Sequence, residues 1–321
     1  MPPNANISQI AAVSYPAVLS EMRKATNNWA ATPSFKAMER AGFIDRMPFG
    51  DAIQVPIDYR SNPDTAVLVG DQDTAALVKT EVFTATSYDI AQMNVPVTWT
   101  KGDDAKNPTE NQKVAFVRGL LENGINSHDD LLEQRIFTSS AAGGIEINGL
   151  NDLINTAGTG TVGGINSSTE TWWKNQFDTF IDGSDMEAAM TELFDNCAKG
   201  SGETNAPTML LSGSASHALY ESQLQSMQRY VNVEEADSGF KSLAFKGAKY
   251  IFSFRGTDLV YFLNPKNYKL AVSSTYFRDK GETQQVNGQN AFYFLIYSAL
   301  QFCVTNRWRL NFMGRLAYAY A

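Results

Sequence analysis

Three clusters in this 321-residue sequence contain residue types able to do chemistry. Ser212-Gly213-Ser214-Ala215-Ser216 lies between an apolar run and a helical pattern, where a nucleophilic serine is often displayed. It lacks the G-x-S-x-G arrangement of a nucleophile elbow. A hydrolase would also need a histidine base, and the chain has only His128 and His217. His217 falls three residues after Ser214 on one predicted helix, which is poor geometry for a triad. The serines are therefore read as helix-start residues, and a serine hydrolase using Ser214 and His217 is kept as a remote alternative. His128-Asp129-Asp130 holds metal-ligand types, but three consecutive helical residues point in different directions and cannot face one ion. A solvated or interface patch is expected there. Gly158-Thr159-Gly160-Thr161-Val162-Gly163 matches G-x-G-x-x-G. A dinucleotide fingerprint needs a strand before it and a helix opening inside it. Here Gly164-Ile165-Asn166-Ser167-Ser168 continues a loop, so a turn-rich loop is predicted. The sequence thus offers no catalytic residue, no metal ligand set and no cofactor site, and the chain is read as not an enzyme.

Composition narrows the class further. Apolar residues make up 43% and charged residues 19%, enough apolar content for a sizeable core. Lys plus Arg number 26 against 34 Asp plus Glu, a net charge of -8, which argues against nucleic acid as a sequence-read ligand. The two cysteines, Cys197 and Cys303, are read as separate buried thiols. Met1-Pro2-Pro3-Asn4 lacks the basic start of a secretory signal. The most apolar run, 291–304, is too short for a membrane span and contains Ser298 and Gln301. A soluble protein made in the cytoplasm is expected, with no membrane partner.

The elements that would position these residues centre on 107–137. That stretch predicts one helix of roughly 45 Å, at 1.5 Å per residue. Asn107 is the expected cap, Pro108 the first helical position, and Glu110 reaches back toward the cap. Val114, Val117, Leu121, Ile125, His128, Leu132 and Ile136 form its inward stripe. Gly119 and Gly124 lie inside it, each costing about 1 kcal/mol relative to alanine. Close packing against a neighbour or a bend explains them, with packing preferred.

Before the helix, residues 1–48 carry too few apolar groups for a core of their own. Ile53, Val55, Ile57 and Tyr59 alternate, as do Met93, Val95, Val97 and Trp99, which predicts two strands. Pro56 and Pro96 make both of them edges or bulged. The stretch of more than thirty residues between them exceeds a hairpin loop, and a long two-stranded arm is marginal alone. It must lean on another surface, for which a neighbouring subunit is one solution. After the helix, 145–154 predicts a short strand with a turn at Asn148-Gly149, and 168–199 predicts two helical pieces divided at Asp182-Gly183. Strands at 207–212, 249–254, 258–263 and 269–273 interleave with a helix over 214–230. Residues 291–304, apolar on both faces, predict a strand deep in a sheet, and Trp308, Leu310 and Phe312 alternate after it.

The order and spacing of several segments carry a resemblance: 52–57, Ile147-Asn148-Gly149-Leu150-Asn151-Asp152-Leu153-Ile154, Val162-Gly163-Gly164-Ile165 with Trp172-Trp173, 239–247, Val260-Tyr261-Phe262-Leu263-Asn264 and Asn306-Arg307-Trp308-Arg309. Over almost its whole length the chain resembles the major capsid proteins of tailed bacteriophages, with the Hong Kong 97-type fold. The resemblance implies an α+β fold with an N-terminal arm (1–48), an extended two-stranded loop (49–106), a long spine helix and peripheral domain (107–148), a mixed α/β axial domain (149–290) and a return to the peripheral sheet (291–321). It implies a virion shell of hexamers and pentamers enclosing double-stranded DNA without sequence-specific binding. A separate scaffolding protein, a portal and a decoration protein are the implied partners. Tyr59, Lys79, Gly119, Gly124, Trp172 and Trp173 are the candidate assembly residues. Lys79 is the lysine of the loop proper, the position from which some members form a cross-link to an asparagine next door. An encapsulin-like nanocompartment shell shares the fold and is the alternative; a tail or baseplate subunit is a third reading.

Overall fold

A computed structural model describes residues 32–48, 50–59, 70–71, 81–107, 110–138, 146–155, 158–180, 183–198, 206–224, 243–256, 258–307 and 314–318. Helix α1 (Pro33–Arg40) leads into strand β1 (Ile44–Met47). Strands β2 (Ala52–Asp58) and β3 (Phe83–Asp89) form an antiparallel hairpin, with Ile53 opposite Tyr88 and Ile57 opposite Thr84. Then come β4 (Ala91–Thr100), a short helix α2 (Lys101–Lys106) and the long helix α3 (Glu110–Phe137). The remaining elements are α4 (Leu150–Leu153), the hairpin β5 (Thr161–Val162) and β6 (Ile165–Asn166), a 3-10 turn (Thr171–Trp173), β7 (Gln176–Phe180), α5 (Gly183–Ala198), β8 (Met209–Gly213), α6 (Ser214–Leu224), β9 (Leu243–Phe245), β10 (Ala248–Ser253), β11 (Leu259–Leu263), β12 (Tyr268–Ser273), β13 (Asp279–Lys280), β14 (Gln284–Gln285), β15 (Ala291–Val304) and β16 (Gly314–Tyr318).

Two six-stranded sheets organise the chain. The first runs β1-β12-β15-β13, with β4 and β14 also on β15. Its 14-residue β15 is the trunk, paired with β4 from Ala291 opposite Thr100 to Leu300 opposite Ala91. The second runs β7-β16-β11-β8-β10-β9. Strict alternation explains its place in the middle of the molecule. Met209 and Leu211 of β8, with Tyr261 and Leu263 of β11, face the large core shared with β12, β15 and the end of α3. Leu210, Val260, Phe262 and Tyr250 face the opposite way, onto Met186, Met190 and Leu193 of α5. Both faces are buried, so these strands read as continuous apolar runs.

The long helix runs unbroken through both of its glycines. Gly124, His128, Leu132 and Ile136 are buried at four-residue steps, while Gly119 is partly exposed. Its N-terminal half packs Leu120, Leu121 and Ile125 on Val97, Phe294 and Ile296 of β4 and β15. A Cβ at Gly124 would stand 2.8 Å from Ile296 Cδ1 and from Val97 Cγ2. Close approach of the helix to the sheet is thus the reason for Gly124. We expect Gly124→Ala to lose about 1 kcal/mol of stability, since overpacking of about 2 kcal/mol outweighs the propensity gain of about 1. A thermal midpoint raised by this substitution would disprove the packing explanation.

Several local expectations are corrected. Asn107 follows α2, where its side-chain amide donates to the Asp103 carbonyl at 2.9 Å. A capping box of Thr100 and Asp103 opens α2. Pro108 lies outside the described residues. The strand expected within 145–154 is the short helix α4, started by the Asp152 carboxylate accepting from Gly149 N at 2.9 Å. The first helical piece of 168–199 is the 3-10 turn followed by β7, a strand recruited by parallel pairing with β16. The Met93–Trp99 strand does not pair with the Ile53–Tyr59 strand; it belongs to β4 and lies on β15, while the partner of β2 is β3. β12, β13 and β14 join β15 in the first sheet, and β16 enters the second. The alternation at Trp308, Leu310 and Phe312 falls outside the described residues.

Candidate functional site

The candidate assembly residues fall into two places. Tyr59, just past β2, stacks on Trp172 with ring centroids 4.8 Å apart. Trp172 meets Trp173 edge-on at 5.5 Å. Trp173 is fully buried and donates its indole N–H to the Val162 carbonyl at 3.0 Å. The three aromatics thus fasten the outer end of the β2–β3 hairpin, where Asp58 lies opposite Phe83, to the small β5–β6 hairpin. Gly163 completes the junction. Its φ of +60° suits the tight turn, its carbonyl accepts from Ser87 N at 3.0 Å, and a Cβ there would stand 2.7 Å from Thr86 and 2.9 Å from the Tyr88 ring. The G-x-G-x-x-G run is therefore a hairpin turn pressed on β3, as the loop reading expects. At the same end the hairpin exposes apolar surface, with Phe83 75% accessible. Lys79 lies outside the described residues. Gly119 and Gly124 stand apart from this cluster, on α3.

The former catalytic candidates separate. Ser214 is exposed, whereas His217 is buried between Tyr250 and Phe252, at centroid distances of 5.0 and 4.7 Å. Burial pushes the imidazole pKa down, and its Nε2 has no hydrogen-bond partner. The pair forms no nucleophile–base couple. His128 Nδ1 lies 3.2 Å from Asp129 Oδ1, and each of the three residues also reaches a side chain on another element. His128 Nε2 is 2.8 Å from Ser298 Oγ, Asp129 accepts from Arg278 at 2.6 Å, and Asp130 takes both of its oxygens to Arg255 at 2.7 Å. His128 is fully buried, which corrects the expectation of a solvated patch. These contacts lock α3 to both sheets. Among the described residues no cluster of His, Cys, Asp or Glu could hold a metal ion, and no helix is long and apolar enough to cross a membrane.

Two further anchors were not read from the sequence. Glu133 is buried on α3, and its carboxylate accepts from Phe35 N at 2.7 Å and Ser34 N at 3.3 Å. It thereby caps α1, whose own N-cap residue Thr32 makes no side-chain cap. Burial pushes the Glu133 pKa up, against hydrogen bonds from Ser253, Phe35 and Ser34 that pull it down. Gln301, buried on β15, spans three segments: its Oε1 accepts from Asn148 N at 2.8 Å, and its Nε2 donates to Asp89 O at 2.9 Å and Glu146 O at 3.1 Å. A polar residue inside an apolar run was the signal available in the sequence, and Ser298 and Gln301 both carry it.

No protein-family model matches the chain. No curated protein matches it in sequence. Solved structures do match in fold. The cyanophage A-1(L) capsid asymmetric unit aligns with TM-score 0.60 and 12% identity, over 95% of this chain and 98% of that one. The holo-SrpI encapsulin complex from Synechococcus elongatus PCC 7942 aligns with TM-score 0.58 and 12% identity, over 94% and 92%. The capsid of a native GTA particle aligns with TM-score 0.58 and 10% identity, over 93% and 93%. A two-stranded hairpin, a long helix, one sheet built on β15 and a second backed by helices together make the Hong Kong 97-type capsid fold.

Proposed function

We propose that this chain is a major capsid protein that assembles, in hexamers and pentamers, into an icosahedral shell enclosing double-stranded phage DNA. The observation that supports it most is fold similarity over nearly the full length of both chains to subunits of a phage capsid. The hairpin adds to it: among the described residues β2 and β3 pair only with each other, and Phe83 at the outer end is exposed. Apolar surface of that kind on a two-stranded arm is suited to cover by another subunit. The virion is the proposed location, and a separate scaffolding protein, a portal and a decoration protein the proposed partners. Tyr59, Trp172 and Trp173 would hold the outer end of the described hairpin against its own subunit. Lys79 would be the donor if the shell is cross-linked.

An encapsulin shell is the second reading, because a holo-encapsulin complex shares the fold at nearly equal TM-score. Electron microscopy of purified particles tests the proposal. Closed shells with fivefold and sixfold clusters are expected. Rings, tubes, or a monomer under every assembly condition with scaffold present would refute shell formation. Nuclease-protected DNA inside the particles supports the phage reading, and a packaged enzyme in its place supports the encapsulin one.

A further inference from the structure

The sequence holds three Asn-Gly steps, at Asn123-Gly124, Asn148-Gly149 and Asn287-Gly288. In such a step the asparagine Cγ lies within reach of the next amide nitrogen, and glycine puts no Cβ in the way. Attack requires that nitrogen to be free and the peptide to turn. The fold treats the three steps differently. Gly124 is buried inside α3, where its N–H belongs to the helical ladder. Gly149 is also buried, and its N–H donates to the Asp152 carboxylate at 2.9 Å, while Asn148 N donates to Gln301 Oε1 at 2.8 Å. In both steps the attacking nitrogen is engaged.

Asn287-Gly288 differs on each count. The two residues lie in the middle of the turn that joins β14 to β15, and both are exposed. Gln289 N closes the turn by donating to Val286 O at 3.1 Å. Gly288 takes a φ of +74°, which the third position of such a turn reserves for glycine or asparagine. The chain on either side is held: Val286 N donates to Ala291 O at 2.9 Å, Gln285 Nε2 to Gln289 O at 3.1 Å, and Lys101 N to Asn290 O at 2.9 Å. Among the described residues neither the Asn287 side chain nor Gly288 N makes a hydrogen bond, so both meet solvent, which exchanges freely. A Cβ at Gly288 would meet nothing within 4 Å. The peptide between the two residues can therefore rotate until Gly288 N faces Asn287 Cγ.

We propose that Asn287 is a site of spontaneous covalent modification, at which the chain converts its own asparagine to aspartate and isoaspartate. Gly288 N gives its proton to solvent base and attacks Asn287 Cγ. A new C–N bond forms, the Cγ–Nδ2 bond breaks, and the side-chain nitrogen leaves as ammonia. The intermediate is a cyclic succinimide. Water then opens the ring at either carbonyl. Cleavage between Cγ and the Gly288 nitrogen gives aspartate. Cleavage at the main-chain carbonyl carbon gives isoaspartate, with the main chain routed through Cγ. The sum is one water consumed and one ammonia released, with no oxidant or second protein. Each event adds a carboxylate beside the start of β15, on a chain whose net charge is already -8.

The test is peptide mapping by mass spectrometry of the purified protein, held at mildly alkaline pH and sampled over days beside a portion unfolded in urea. In the unfolded chain all three Asn-Gly steps should react. In the folded protein the Asn287 peptide should gain about 1 Da and split into two forms. The Asn123 and Asn148 peptides should convert at least about tenfold more slowly, because local opening must first free their nitrogens. Isoelectric focusing gives a second reading: aged wild type should co-migrate with Asn287→Asp, and Asn287→Gln should hold its position. An Asn287 peptide that stays intact in the folded protein while the unfolded one reacts, or that reacts no faster than the other two, would overturn the proposal. An acidic shift undiminished in Asn287→Gln would do the same.

Discussion

An E133A variant is expected to lose about 3 kcal/mol of unfolding free energy, because it orphans two buried backbone donors at once. The carboxylate on α3 is the cap of α1, reaching Ser34 N and Phe35 N from 99 and 98 residues away. Its charge also sits at the positive end of that helix. Without it α1 keeps Phe35 and Met38 in the core, along with the Arg278–Glu39 contact at 3.8 Å. The damage should therefore concentrate at the N-terminal turn of α1. Urea unfolding measures the global loss, and amide exchange at Ser34 and Phe35 the local one.

The same carboxyl sets a pH dependence whose sign follows from its raised pKa. Between its ordinary value of 4.5 and its folded value, the native state keeps the proton that the unfolded chain has released. The native state then binds more protons, so the Glu133 contribution falls as pH rises through that window and is flat above it. E133Q cannot titrate. The stability of wild type relative to E133Q should therefore decrease from pH 4.5 upward and then level off. Parallel stability profiles for the two proteins would exclude Glu133 as the titrating group.

The second large effect is expected at Gln301. Q301L should cost about 3 kcal/mol, leaving Asn148 N, Asp89 O and Glu146 O without their buried partner. Q301E should cost at least as much. It keeps an acceptor for Asn148 N but replaces the donor by an oxygen facing two carbonyls. A leucine variant as stable as wild type would show that those backbone groups find other partners. Because the bracket joins β15 to the end of β3 and to the chain after α3, the loss should appear in global unfolding and not as local fraying.

These residues mark where the sequence was legible. Strong periodicity revealed α3, β2, β10, β11, β12 and β15, since a buried stripe must repeat at 3.6 or 2 residues whatever lies opposite. Weak local signals failed. Thr171–Trp173 and Gln176–Phe180 read as helix, yet the second is a strand because β16 supplies its ladder. Tyr59, Trp172 and Trp173 were named as separate aromatics, and only the folded chain stacks the outer end of β2 on them.

By itself, then, the sequence determined the alternating and helical runs and the order of parts that resembles a capsid subunit. Local propensity and side-chain period act within a few residues, and those features are local. The tertiary structure alone decided that β2 pairs with β3, that β4 lies on β15, and that Glu133 caps a helix far away in the chain. Each of these joins groups separated by dozens of residues or more, and their energies exist only once the chain has brought them into contact.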